Sequence, residues 1–244
     1  MTQKLACFDL DGTFFRWQLY HELVFELKDT AKVFNDETAA ALDQALIAWQ
    51  SKQQTWRDYE MQVVSAFEPI VGSLDPAIFD RSAAAVVSRS GHKVYNYTKN
   101  LLDRLKQEDY FTLAISGSQQ EIIEPFTEQY GFDACIGALY ERVDGRFTGT
   151  VARYVPGRKH EIINDFLQAH PTITLDGSVA VGDSEGDISM LEMVEHPIAF
   201  NPSSGLLDTA TSRGWEVVIE RKNIAYTLAK DNNGQYLLEK TDSF

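Results

Sequence analysis

The stretch Leu5-Ala6-Cys7-Phe8-Asp9-Leu10-Asp11-Gly12-Thr13 begins as an apolar run and ends on two aspartates and a glycine. Such a run reads as a buried strand that breaks into a loop at its carboxyl end. The pattern returns twice. Phe111 to Ile115 is apolar and gives way to Ser116-Gly117-Ser118, just ahead of a helix-like stretch from Gln119 to Tyr130. Ser178 to Val181 leads in the same way to Gly182-Asp183. Helical patterns cover Thr98–Gln107 and Lys159–Ala169. Strands alternating with helices predict an α/β fold with a parallel sheet. In such sheets ligands collect at the carboxyl ends of strands, where all three polar clusters fall.

From about Phe15 to about Gly91 the alternation stops. This segment is rich in Ala, Leu, Gln, Glu and aromatics, with helical spacing at Leu19, Leu23 and Leu27 and again at Leu42, Leu46 and Trp49. Two readings fit: several helices of one fold, or a helical cap inserted after the first strand. Because the α/β alternation later resumes, the expected division is a core of residues 1–15 and 92–244 and a cap of residues 16–91. Val143-Asp144-Gly145-Arg146-Phe147 carries the Asp-Gly signal of a hairpin. Asp231-Asn232-Asn233-Gly234 predicts another turn, followed by a polar tail.

Composition narrows the partners. With 244 residues the chain suffices for one large domain, or for a core carrying a smaller insert. No apolar run reaches the ~18 residues of a membrane-spanning helix, so no membrane partner is expected. A net charge of -14 argues against a general affinity for nucleic acid, which rests on Lys and Arg at phosphates. A secretory signal is not expected either, because cleavage would remove the segment that begins at Cys7. Cys7 and Cys135, the only cysteines, sit in strand-like runs and suit buried thiols in a reducing cytoplasm.

The polar clusters offer a set of reactive groups. Asp9 is a candidate nucleophile, since a carboxylate can attack phosphorus and split one hard displacement into two easier ones. Asp11 could protonate a leaving oxygen and later take a proton from water. An Asp-x-Asp-Gly turn that merely caps backbone amides is the competing reading. Asp183 and Asp187, in Gly182-Asp183-Ser184-Glu185-Gly186-Asp187, offer oxygen ligands of the kind Mg²⁺ prefers. Asp9 and Asp183 could share one ion, while Asp187 is a ligand, an orienting group or a helix cap. Ser116 can donate a hydroxyl hydrogen bond and the Gly117 amide can approach a phosphate closely. Lys159 stands at a helix start, against the favourable direction of the dipole, which suggests a task beyond stability.

Taken in order, these segments resemble the haloacid dehalogenase-like hydrolase superfamily, and more finely its phosphoserine-phosphatase-like branch, subfamily IB. The resemblance rests on Asp9-Leu10-Asp11-Gly12-Thr13, Ser116, Lys159, Gly182-Asp183 with Asp187-Ile188-Ser189-Met190, and the Gly145-Arg146-Phe147-Thr148-Gly149 hairpin. It implies a doubly wound, Rossmann-like parallel core with a helical cap inserted after the first motif. It also implies Asp9 as nucleophile, Asp11 as general acid/base, Ser116, Gly117 and Lys159 as phosphate binders, and Mg²⁺ held by Asp9, the Asp11 carbonyl and Asp183. The chain departs from phosphoserine phosphatases in two places. Ser116-Gly117-Ser118-Gln119 replaces their Ser-Gly-Gly-Phe, and Tyr20, with Glu22 close by, stands where their cap carries a glutamate. Arg57 is the one candidate for a substrate carboxylate. Phe14, Phe15, Trp17 and Tyr20 crowd the start of the insert, either as packing or as an apolar wall above the phosphate.

The expected activity is Mg²⁺-dependent hydrolysis of a small phosphomonoester, by a monomer or homodimer. A phosphotransferase or mutase using the same intermediate is the nearest alternative. A non-catalytic phosphate-binding module is a further one, but it would need neither Asp9 nor Asp11.

Overall fold

The computed structural model describes residues 2–231 and 233–244. Strand β1 (Gln3–Phe8) sends Ala6 and Phe8 into one core and Leu5 and Cys7 into another, all four fully buried. A strand alternates its side chains between two faces, so a strand apolar on both must be covered on both. That is why the run looks continuous in the sequence.

After β1 come α1 (Leu19–Asp29), α2 (Asp36–Gln50), α3 (Trp56–Phe67), a 3₁₀ turn at Glu68–Ser73 and α4 (Pro76–Ser90). Three of these helices start on their own signals. Asn35 accepts the Thr38 amide, Thr55 and Asp58 form a capping box, and Asp75 accepts the Ala77 amide with Pro76 in the first turn. The first of the four, α1, has no such cap of its own.

The α/β alternation resumes with α5 (Asn96–Gln107), β2 (Phe111–Gln119), α6 (Gln120–Tyr130), β3 (Ala134–Val143) and β4 (Arg146–Arg153). Then follow α7 (Lys159–Ala169), β5 (Ile173–Gly182), a 3₁₀ turn at Glu185–Asp187 leading into α8 (Ile188–Leu191), and β6 (His196–Phe200). The chain ends with α9 (Ser204–Arg213), β7 (Glu216–Arg221), β8 (Ile224–Lys230) and β9 (Tyr236–Ser243). The sheet order is β4-β3-β2-β1-β5-β6-β7-β8-β9, parallel from β3 to β7 and antiparallel outside. The chain therefore winds outward from β1 in one direction, then returns to β5 and winds outward in the other. Its topological switch lies between the carboxyl ends of β1 and β5.

Several expectations needed adjustment. Strand β2 does not stop at Ile115 but stays extended through Ser116-Gly117-Ser118, with its register against β3 slipping between Ile115 and Gln119. The polar tail is β9, an edge strand paired antiparallel with β8. An edge strand in contact with water carries polar residues and so lacks the apolar signature of a central one. In the turn before it, the Gly234 amide donates to the Asp231 carbonyl; Asn232 lies outside the described residues. The β3–β4 hairpin turns on Asp144 and Gly145, both at positive φ (49° and 72°), as an Asp-Gly type I′ turn requires. Both cysteines are free, Cys7 buried and Cys135 half-buried. No helix among the described residues is long and apolar enough to cross a membrane.

The two chain segments that lead into and out of the helices α1–α4 run side by side. Phe15 bridges to Val94, the Arg16 amide donates to the Lys93 carbonyl (2.8 Å), and the Tyr95 amide donates to the Phe14 carbonyl (3.0 Å). Glu220 on β7 fastens this crossing. Its carboxylate, with no side-chain exposure, pairs with Arg16 at 2.5 Å and accepts the Tyr97 amide (2.8 Å) and the Asn96 amide (3.3 Å) at the start of α5. Removing the acid leaves two helix-start amides without their acceptor, while Arg16 keeps the Val94 carbonyl and the Tyr95 ring, a loss of about 1–3 kcal/mol. Glu220→Ala is expected to lower urea stability by that order. Arg16→Ala should lower it at least as much, since Glu220 would keep both amides but lose its counter-charge while fully buried. Equal, sub-kcal losses in both variants would refute the role given to Glu220.

Candidate active site

The switch point gathers the charged residues. Asp9 follows β1 directly, and its amide donates to the Val181 carbonyl of β5 (3.0 Å), which fixes it at the crevice. Lys159, the first residue of α7, extends its buried ammonium between two carboxylates. Its Nζ lies 2.6 Å from Asp9 Oδ1 and 2.6 Å from Asp187 Oδ1. The other oxygen of Asp187 accepts the amides of Asp183 (3.1 Å) and Ser184 (3.0 Å) and the Ser184 hydroxyl (3.1 Å). Asp187 thus has both oxygens committed, one to the lysine and one to the turn that presents Asp183.

Close packing here depends on two glycines. Gly12 holds φ = +87°, and a Cβ placed on it would fall onto the carboxylate of Asp183. A Cβ on Gly182 would run into the Asp187 side chain. The glycines after Asp11 and before Asp183 therefore let two acidic loops approach one another.

Asp9, Asp183 and Asp187 each offer an oxygen within 4.8 Å of the others. With Asp11 beside them, four carboxylates face one ammonium. Burial raises the Asp9 carboxyl to about 7, with the Asp187 charge adding to the rise and Lys159 opposing it. Asp183 is pushed well above the ordinary carboxylate range, first by burial and then by Asp9 and Asp187. Lys159 is held above the usual lysine range, because its two carboxylates outweigh the cost of burying it. One atom remains unsatisfied: Asp9 Oδ2 is buried and has no hydrogen-bond partner among the described residues. A buried anionic oxygen without a partner, inside an excess of carboxylates, suits a hard cation with oxygen ligands.

Asp11 faces the helices. Its Oδ1 accepts the Leu19 amide at 2.5 Å, so Asp11 supplies the cap that α1 lacks. Its Oδ2 accepts hydroxyl hydrogen bonds from Ser116 (2.5 Å) and Ser118 (2.8 Å). The Ser118 hydroxyl in turn accepts the Tyr20 amide at 2.9 Å. Burial raises the Asp11 carboxyl above its ordinary range, against the pull of these donors.

Asp9, Asp11, Ser116, Lys159, Asp183 and Asp187 are thus drawn together, and Gly117 sits exposed on the same strand end, with Pro156 as its nearest neighbour. Glu22 is not part of the group: it turns to Ser90, Arg89 and Lys93. Arg57 is exposed. Phe14 and Phe15 are core, their rings packed edge-on against Phe126. Tyr20 packs on Phe67. Two contributors were missed. Ser118 shares one face of an extended strand with Ser116, so its two-residue spacing could have revealed it. Glu60 of α3 is raised by burial and then by the charge of Asp11, and nothing in its local sequence signals that proximity.

Comparison with known proteins agrees with this geometry. The family model described as haloacid dehalogenase-like hydrolase matches residues 6–192. A phosphoserine phosphatase of Streptomyces coelicolor is 29% identical over 205 residues, covering 82% of this chain and 44% of that protein. The chain spans half or less of the length of the curated relatives it matches. Among solved structures, a Bordetella pertussis protein of unknown function superposes with a TM-score of 0.72 at 22% identity, covering 90% of this chain and 99% of that one. A phosphoserine phosphatase carrying a phospho-aspartyl intermediate analogue superposes with a TM-score of 0.58 at 20% identity, covering 91% of this chain and 95% of that one. With the family match spanning β1 to α8, the chain belongs to the haloacid dehalogenase-like hydrolases.

Proposed function

We propose that this protein is a Mg²⁺-dependent phosphohydrolase that forms an aspartyl-phosphate on Asp9. The observation that carries the proposal is the split environment of Asp9. One oxygen is held by Lys159, and the other is buried without a partner at the mouth of an acidic cluster. The solved phosphoserine phosphatase of like fold, with its phospho-aspartyl analogue, supports the same reading.

In the first step the Asp9 carboxylate attacks phosphorus, the bond from phosphorus to the leaving oxygen breaks, and Asp11 gives that oxygen its proton. In the second, Asp11 takes a proton from water as it attacks the acyl phosphate, and inorganic phosphate leaves. Lys159 offsets the charge of the transferring group, and the Gly117 amide holds its oxygens together with the Ser116 hydroxyl, which must turn from Asp11 to do so. Mg²⁺, bound by Asp9, Asp183 and the Asp11 carbonyl, would relieve repulsion between the attacking carboxylate and a phosphate dianion. Asp187, with both oxygens engaged, orients Lys159 and the Asp183 turn.

The same reading divides the chain into a core of residues 1–15 and 92–244 and a helical cap of residues 16–91. The side-by-side passages at Phe15 and Val94 support it, since a hinge needs both crossings at one place. The substrate is a small phosphomonoester, and the free thiols suit a reducing, cytoplasmic setting.

Asp9→Asn is expected to abolish phosphate release across a panel of phosphorylated amino acids, sugars, nucleotides and head groups, while circular dichroism stays unchanged. Release of free phosphate, rather than appearance of a phosphorylated acceptor, is expected in the wild type. Turnover surviving in Asp9→Asn would overturn the mechanism. EDTA should abolish activity and Mg²⁺ restore it.

The raised carboxyls give a second test that needs no substrate. A carboxyl whose folded pKa lies above its unfolded value keeps the folded state more protonated between the two. For Asp9 that interval runs from about 4 to about 7, so metal-free protein should lose stability as pH rises through it. A divalent cation competes with those protons. Mg²⁺ should therefore raise the melting temperature more at pH 7.5 than at pH 5. An equal or reversed difference in EDTA-treated protein would remove the cation from this cluster.

A further inference from the structure

A second cavity, of about 420 Å³, opens among α1, α2, α3 and α4, and it shares no residue with the cluster around Asp9. That volume falls in the usual range for small-molecule pockets. Its wall has two characters. Trp17, Phe25 and Tyr59 supply aromatic surface, Phe25 with Lys28 over one face, while Glu22, Glu26 and Asp29 supply carboxylates against Arg89, with Lys93 beside Glu22 and Lys28 beside Asp29. The aromatic side continues outward: Trp17 lies 5.2 Å from Trp49 and 5.5 Å from Trp56, centre to centre, and Trp49 stacks on Tyr59.

Two groups in this wall are costly to bury as they stand. Glu26 is 7% exposed. Arg89 holds its Oε2 at 2.5 Å, and Oε1 takes no hydrogen bond from any described residue. His21 is 1% exposed, and its Nδ1 has no partner. Burial pushes that imidazole down to about 3, so it is neutral at physiological pH and does not repel a cation. A buried carboxylate with a free oxygen, a neutral ring nitrogen and several aromatic faces all favour one kind of guest. An anion is repelled by the open oxygen of Glu26, and a neutral apolar molecule gives nothing to that oxygen or to His21 Nδ1. An ammonium on an apolar or aromatic body satisfies both, through a charge-assisted hydrogen bond and cation–π contact.

We propose that this cavity is a binding site for a small organic ammonium ion, with Glu26 as its counter-ion and Trp17, Phe25 and Tyr59 as its aromatic wall. The site is separate from the phosphate chemistry and does not depend on it. It does share α1 with that chemistry: His21, Glu22, Phe25, Glu26 and Asp29 line the cavity, while the Leu19 and Tyr20 amides of the same helix hold Asp11 and Ser118. Occupancy is therefore in a position to stiffen the helix that orients Asp11.

Three of the four tryptophans lie in or against this wall, so intrinsic fluorescence reports on it directly. Titration of the whole protein with phenethylammonium is expected to give a saturable change, at least tenfold tighter than with 2-phenylethanol and absent with phenylacetate. Glu26→Gln should weaken the ammonium at least tenfold and leave the alcohol unaffected. Because Glu26 also pairs with Arg89, Phe25→Ala provides a second variant, expected to weaken both ligands while circular dichroism is unchanged. Equal affinity for ammonium and alcohol, or no saturable change with the ammonium, would overturn the proposal. Neither result would touch the assignment of Asp9, which is read by phosphate release.

Discussion

The ammonium of Lys159, buried between Asp9 and Asp187, is the interaction on which the site depends. Three separate pieces of the fold meet there: the end of β1, the start of α7 and the turn after β5. An isolated buried lysine would lose its proton, and two buried carboxylates without it would gain theirs. Held together, their opposite charges offset part of the cost of burying them. The pairing also has a direction, because it uses one oxygen of Asp9 and leaves the other free. The second oxygen of Asp187 is consumed by the amides of Asp183 and Ser184. A single ion triad therefore positions the candidate nucleophile, the lysine and the loop that carries the further carboxylate.

Asp11 ties this arrangement to the helices. Helix α1 is the one of the first four with neither a local side-chain cap nor a proline at its start, and Asp11 provides the missing acceptor from across the loop. The helix N-terminus stabilises the carboxylate, and the two serine hydroxyls of β2 do so from the other side. Any movement of α1 away from β2 would withdraw donors from Asp11 and shift its proton affinity upward. The group read as general acid is thus sensitive to where the helical layer sits, which links closure over a substrate to the state of the acid. Glu220 works at the far end of the same linkage, where it fastens the two crossings into and out of that layer.

Much of this was legible because the site lies at strand ends. Central parallel strands are apolar on both faces, so β1, β2 and β5 announce themselves, and the polar residues after them mark the crevice. Lys159 at the first residue of α7 followed from the helical pattern. The outer strands were not legible. β7 and β8 mix apolar with charged residues, and β9 is polar because it forms the sheet edge. Nor does the sequence say which partner a given acid selects. Asp187 reads equally as ligand or cap until Lys159 is seen on its other oxygen. Glu22 seems well placed by spacing, yet a helical residue is aimed by its face, and that face turns to Arg89 and Ser90. Glu60 of α3 feels the charge of Asp11, a proximity set by tertiary packing alone.

The charge of the site constrains what order its events can take. A phosphate dianion approaching four carboxylates and one ammonium meets net repulsion, in a chain already carrying -14. Protonation of Asp9 or Asp183 would ease that repulsion, but a protonated Asp9 cannot attack. The raised affinity of these carboxyls for protons and the proposed uptake of a divalent cation are two responses to the same crowding. A cation, unlike a proton on Asp9, leaves that carboxylate ionised. The neutralising charge must therefore be in place before the phosphate reaches Asp9, and the unpartnered Oδ2 is the atom where that requirement is felt.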